Sequence, residues 1–128
     1  QTPDLEIKQV KDIPLILVSS RANQDISQAM SENYIMVDWG SAFSIIHAEK
    51  FPSLASPVRR TNSGEIALGL LKTMGGAAYL PKTLVSPLLK SKRLYQVTES
   101  PTIKRLDYVV YRPENIERYS LQKALAVL

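Results

Sequence analysis

Apolar positions along the chain come either in short unbroken runs or in stripes spaced three and four apart. The runs LILVS (15–19) and YIMV (34–37) predict two buried strands. Between them, Asn23-Gln24-Asp25 caps a short helix to about Ser31, and Glu32-Asn33 turn the chain. Beyond Gly40, residues Phe43, Ile46 and His47 recur at helical spacing, so a helix runs to about Phe51 and Pro52 ends it. Pro57-Val58-Arg59-Arg60 reads as a further strand. Asn62 can accept from a free backbone N–H at a helix start, and Glu65, three residues on, can return the bond. The helix that follows carries Ile66, Ala67, Leu70, Leu71 and Met74 on one face, and Gly75-Gly76 end it.

The second half repeats the alternation. AAYL (77–80) is a short strand stopped by Pro81, followed by a helix over 82–90 that Pro87 should distort or shorten. A brief strand near 94–97 leads through a polar loop to LDYVVY (106–111), a strand ended by Pro113. Leu121, Ala124, Leu125 and Leu128 form the apolar stripe of a C-terminal helix over 113–128. Strands alternating with helices of this length predict an α/β domain whose sheet is mostly parallel and flanked by helices. No internal repeat or linker divides the 128 residues.

Composition narrows the chemistry. A content of 45% hydrophobic and 22% charged residues is that of a globular domain. There is no cysteine, which removes disulfides, thiol catalysis and cysteine-built metal sites, and a single histidine removes a multi-histidine one. No metal and no cofactor are expected. No apolar run is long enough to span a membrane, and QTPDLEIK does not read as a signal peptide. The net charge of +4 is spread over pairs such as Arg59-Arg60, Lys92-Arg93 and Lys104-Arg105 with acids nearby, unlike the one-sided footprint of a DNA-reading surface.

Candidate chemistry centres on Asp38-Trp39-Gly40-Ser41, where the second strand stops at the only tryptophan. A nucleophile elbow needs glycine on both sides of the serine, and Ala42 follows Ser41. Asp38, Ser41 and His47 are the residue types of a triad, but Ser41 and His47 lie nearly two turns apart on one helix. His47 shares a face with Phe43 and Ile46 and reads as a packed histidine. Gly75-Gly76 follow a helix and precede a strand, the wrong order for a phosphate cradle. Two joins remain where a strand feeds a helix: Asp38 to Ser41, and Thr61-Asn62-Ser63. Ligands of open α/β sheets gather beyond strand carboxyl ends, so both segments can line one crevice if their strands are neighbours. Trp39 would then be a flat apolar wall, or else a core residue packed on its own helix.

The order of elements resembles the effector-binding domain of LysR-type transcriptional regulators. LGLLKTMGGAAYLP (68–81) is similar to that family's apolar helix, glycine turn and short strand ending in Leu-Pro. KTLVSPLLKSKRLYQV resembles its short helix and basic-leucine strand, and RLDYVVYRP its returning strand. The likeness runs from about Leu15 to Pro113. VDWGSAFSIIHAEKF and RTNSGEIALGLLKTMGG look most like the branch containing the repressor of the flagellar master operon.

The resemblance implies a periplasmic-binding-protein-like (type II) fold. Residues 14–112 would be the second regulatory lobe with two crossover strands, and 113–128 a helix returning toward a first lobe that the chain lacks. It implies a non-enzymatic, cytoplasmic sensor that binds a small-molecule effector in the cleft between lobes. Asp38, Trp39, Gly40, Ser41, Thr61, Asn62 and Ser63 would form one wall of that cleft. DNA would be contacted only through an N-terminal helix-turn-helix outside this sequence, the regulator would be a homo-oligomer, and no membrane is involved. The alternatives at this stage are a solute-binding lobe of a transport-type binding protein and a small α/β hydrolase.

Overall fold

The computed structural model describes residues 6–31, 33–54, 57, 59–112 and 117–127. In chain order these form β1 (Glu6–Ser19), α1 (Ile26–Ala29), β2 (Ile35–Val37), α2 (Ser41–Lys50), β3 (Arg59–Thr61) and α3 (Gly64–Thr73). The chain continues through β4 (Ala77–Pro81), α4 (Lys82–Lys90), β5 (Tyr95–Gln96), β6 (Thr102–Arg112) and β7 (Glu117–Val127). The expected roles of Glu32, Val58, Pro113 and Leu128 lie outside the described residues.

Strand β1 organises the sheet. Its last five residues pair with β4, from Leu15 opposite Pro81 to Ser19 opposite Ala77. Its other edge pairs with β6 as far as Leu15 opposite Ile103, and then with β5. The order is β4-β1-β6-β7, and every one of these pairings is antiparallel. The sheet is thus α/β in content but mostly antiparallel, against the expectation of parallel strands. Among the described residues only β2 and β3 form a parallel ladder, joined to β4 by a parallel bridge between Tyr34 and Ala77. The discrepancy has a physical cause. A strand buried on both faces reads as an unbroken apolar run whichever way its neighbours point.

That burial on both faces follows the strand period of two. Leu15 and Leu17 of β1, with Ala77 and Tyr79 of β4, enter one core together with Phe43 and Ala29. The intervening Ile16, Val18, Ala78 and Leu80 enter a second core with Ala67, Leu71 and Val85 from α3 and α4. Trp39 packs against both clusters.

The expected C-terminal helix is instead β7, paired with β6 from Thr102 opposite Val127 to Arg112 opposite Glu117. Leu121, Ala124 and Leu125 fit a helical stripe, but Tyr119, Leu121, Leu125 and Val127 also fit alternation. The free edge of β6 offers a full ladder of backbone partners, which decides between the two periods. One cap also moves. Ser63, not Asn62, caps α3, its Oγ accepting from the Ile66 N–H at 3.2 Å. The helix 82–90 forms as expected and keeps Pro87 within it.

Candidate functional site

The parallel register of β2 and β3 sets Val37 opposite Thr61, so the two strands end side by side. The Asp38 N–H then donates to the Thr61 carbonyl at 2.9 Å, carrying the pairing one residue past the strands. The two loops singled out in the sequence therefore meet, which was the condition for a shared crevice.

Within the first loop each residue has a distinct task. The Asp38 carboxylate accepts from the Gly40 N–H at 2.9 Å, closing the turn locally. Gly40 sits at φ 103° with ψ 164°, a backbone conformation that a side chain would strain. Ser41 is exposed and opens α2, whose N-terminus has no side-chain cap. Trp39 turns back onto the sheet. Its indole N–H donates to the Tyr79 carbonyl at 2.9 Å, and the Arg105 guanidinium lies 5.5 Å from the ring centre. In the second loop the Thr61 Oγ1 accepts from the Ser63 N–H at 3.1 Å, and Asn62 is exposed at the rim.

An open groove of about 600 Å³ runs beside Trp39. Its floor is Asp12 to Pro14 of β1, and its sides are the starts of α3 (Ser63, Gly64, Glu65) and α4 (Pro81, Thr83, Leu84). Of the seven residues expected at a ligand wall, Trp39 and Ser63 line this groove directly. Asp38, Thr61 and Gly40 hold the loops that present them. The sequence reading missed Pro81 and Thr83, although β4 running into α4 is a third strand-to-helix join and the same argument reaches it. Asp12 carried no such signal. It comes into place only because β1 pairs with β4, and Lys104 Nζ lies 3.4 Å from its carboxylate.

The triad residues do not assemble. His47 is 4% exposed, and its Nε2 lies 2.8 Å from the Tyr34 hydroxyl. Tyr34, Phe43, Phe51 and Tyr79 surround its ring at 5.1–6.0 Å between centroids. Burial lowers its pKa from 6.5 to about 4, and burial likewise raises that of Tyr34. Gly75 and Gly76, at φ 78° and 129°, end α3 and lead into β4, with no helix N-terminus beside them for a phosphate. Among the described residues no cluster of three His, Cys, Asp or Glu could hold a metal, and no helix is long and apolar enough to cross a membrane.

No family model matches the chain. The HTH-type transcriptional regulator HdfR of Salmonella dublin is 31% identical over 94 residues, which is 70% of this chain and 31% of that protein. Full-length HypT of Salmonella typhimurium, a hypochlorite-specific LysR-type transcriptional regulator, superposes on 91% of this chain and 43% of its own, with a TM-score of 0.67 at 14% identity. The proteins to which this chain is similar are LysR-type transcriptional regulators. The LysR regulator LysG of Corynebacterium glutamicum, with bound effector arginine, covers 88% of this chain and 42% of its own at a TM-score of 0.57 and 15% identity. At such identities the structural likeness is one of fold, the α/β fold of LysR regulatory domains. The chain spans about a third of the length of the curated LysR relatives it matches.

Proposed function

We propose that this chain is the ligand-sensing part of a LysR-type transcriptional regulator, non-enzymatic and cytoplasmic. Asp38 to Ser41 and Thr61 to Ser63 form one wall of its effector cleft. The observation that carries this reading is the β2–β3 register, which joins the two loops beside a groove walled by Trp39. Ligand pockets combine such a flat apolar wall with a few convergent polar groups, supplied here by Ser63 and Thr83. The effector is a small molecule, as arginine is for LysG. DNA contact belongs to an N-terminal helix-turn-helix outside this sequence, in keeping with the name of HdfR, and the complete regulator is a homo-oligomer. The two HdfR matches agree with the branch of the flagellar master operon repressor.

The test is a thermal-shift screen of small metabolites, arginine included, on the complete regulator. A metabolite that raises the melting temperature should lose that effect in Ser63→Ala and Thr83→Ala; the unliganded Thr83→Ala variant should melt near the parent, and unliganded Ser63→Ala somewhat lower through loss of the α3 cap. A stabilising metabolite that is indifferent to both substitutions would move the site elsewhere.

A further inference from the structure

The far end of the sheet from the Trp39 groove holds a second cavity, of about 310 Å³. It lies where β1 leaves the sheet at Ser19 and Ser20, α1 crosses, and Gly76 leads into β4. Among the described residues that line it, Ala29 is the one wholly apolar side chain, none is a carboxylate, and one, Arg21, is a cation. The cavity is separate from the effector wall and does not depend on that reading.

The direction of its hydrogen bonds is informative. The Gly76 N–H donates to the Ser20 Oγ at 3.0 Å, so the Ser20 hydroxyl keeps its own proton to give. The Asp25 N–H donates to the Gln28 Oε1 at 3.0 Å, and because a backbone N–H can only donate, this fixes which end of the Gln28 amide is oxygen. The Arg21 N–H donates to the Ser19 Oγ at 3.1 Å, and the Ser19 hydroxyl in turn donates to the Gln24 Oε1 at 2.5 Å. Both glutamine oxygens are thus engaged, and both NH₂ groups remain to donate. The nearby Asp25 carboxylate is occupied with the Gln28 N–H at 2.8 Å and forms no part of the wall. Ser20, Gln24, Gln28 and Arg21 therefore present a hydroxyl, two amide NH₂ groups and a guanidinium, while the oxygens of Ser19, Ser20 and both glutamines accept within the protein; Ser31 and Asn33 complete the wall.

We propose that this cavity, bounded by Ser20, Arg21, Gln24, Gln28 and Gly76, is a second ligand site that takes a small oxyanion, a carboxylate or a phosphate. Ionised acceptors form the stronger class of hydrogen bond, and a planar guanidinium suits both groups. The position has a structural link to the rest of the lobe. Arg59 of β3 donates to the carbonyls of Asn33, which lines this cavity, and Gly75, so its occupancy bears on the start of β2.

The test is a pair of ¹H–¹⁵N titrations of the chain, one with potassium phosphate and one with potassium succinate, each against potassium chloride at equal ionic strength. Saturable shifts are expected at the Gly76 amide and at the side-chain amides of Gln24 and Gln28, with the Trp39 indole N–H unmoved. Saturation by phosphate alone or by succinate alone identifies the ligand class. Arg21→Ala, and Gln28→Glu, which replaces a donor by a carboxylate of the same shape, should each weaken binding roughly tenfold. Both residues are exposed, so neither change threatens folding. Shifts no larger than those in chloride, or binding indifferent to both substitutions, would overturn the proposal.

Discussion

The indole N–H of Trp39 donates to the carbonyl of Tyr79 at 2.9 Å, tying the loop after β2 to the middle of β4. One edge of the ring is thus spent on structure while the residue also lines the groove. The substitution Trp39→Phe keeps a ring but removes the donor. It should cost about 1–2 kcal/mol, because the part-buried Tyr79 carbonyl loses its partner. Urea unfolding, followed by circular dichroism, measures this directly. A midpoint equal to the parent's would mean that the bond contributes nothing.

Gly64 lies against the same ring. A β-carbon there would come 2.8 Å from the Trp39 Cη2, too close for the ring to stay, and the indole bond prevents an easy retreat. We expect Gly64→Ala to shift tryptophan emission and to destabilise by about 1–2 kcal/mol. Unchanged emission would show that the ring has room to move.

Two other glycines should respond in opposite directions. Gly69 sits inside α3 with nothing within 4 Å of an added β-carbon, so Gly69→Ala should stabilise by about 0.5–1 kcal/mol. Gly76, at φ 129°, has the Asn33 carbonyl and the Arg59 guanidinium where that carbon would go. Gly76→Ala should cost about 3 kcal/mol or more. Thermal denaturation of the two variants ranks them, and a reversed order would contradict the packing described.

Stability should fall in acid through His47. Its pKa is near 6.5 in an unfolded chain and about 4 when folded, so the unfolded state binds the proton first. The contribution is complete above pH 6.5 and is lost as pH falls through the window to about 4, by about 3 kcal/mol in all. Urea midpoints of the parent and of His47→Asn between pH 4 and 8 should converge at the acid end. Parallel curves would mean that His47 is protonated as easily folded as unfolded.

Much of this architecture was readable from residue order, and the failures have identifiable causes. Positions 15–19, 34–37 and 77–80 announced themselves because both faces of each strand are apolar. Gly75-Gly76 announced the end of α3 because glycine adopts successive positive φ values without the steric cost that a β-carbon adds. Strand direction was not readable, since pairing partners such as Leu15 and Pro81 are 66 positions apart and leave no local trace. The C-terminal segment satisfied two periods, and only the edge of β6 chose between them. Along the groove, strand-end logic reached Trp39 and Ser63, whereas Asp12 needed knowledge of which strands touch. The Asn62 cap failed by one residue because Ser63 offers an equally good acceptor.

Strand β1 is a single backbone with two different neighbourhoods. From Leu15 to Ser19 it pairs with β4 on one edge and, at Leu15, Leu17, Val18 and Ser19, with β6 or the β5 segment on the other, while residues 6–14 pair only with β6 among the described residues. Amide exchange along this one strand should accordingly step at Leu15. The inner amides wait for global unfolding, and the outer ones exchange whenever the β6 ladder opens. A continuous strand can in this way belong to two cooperative units at once.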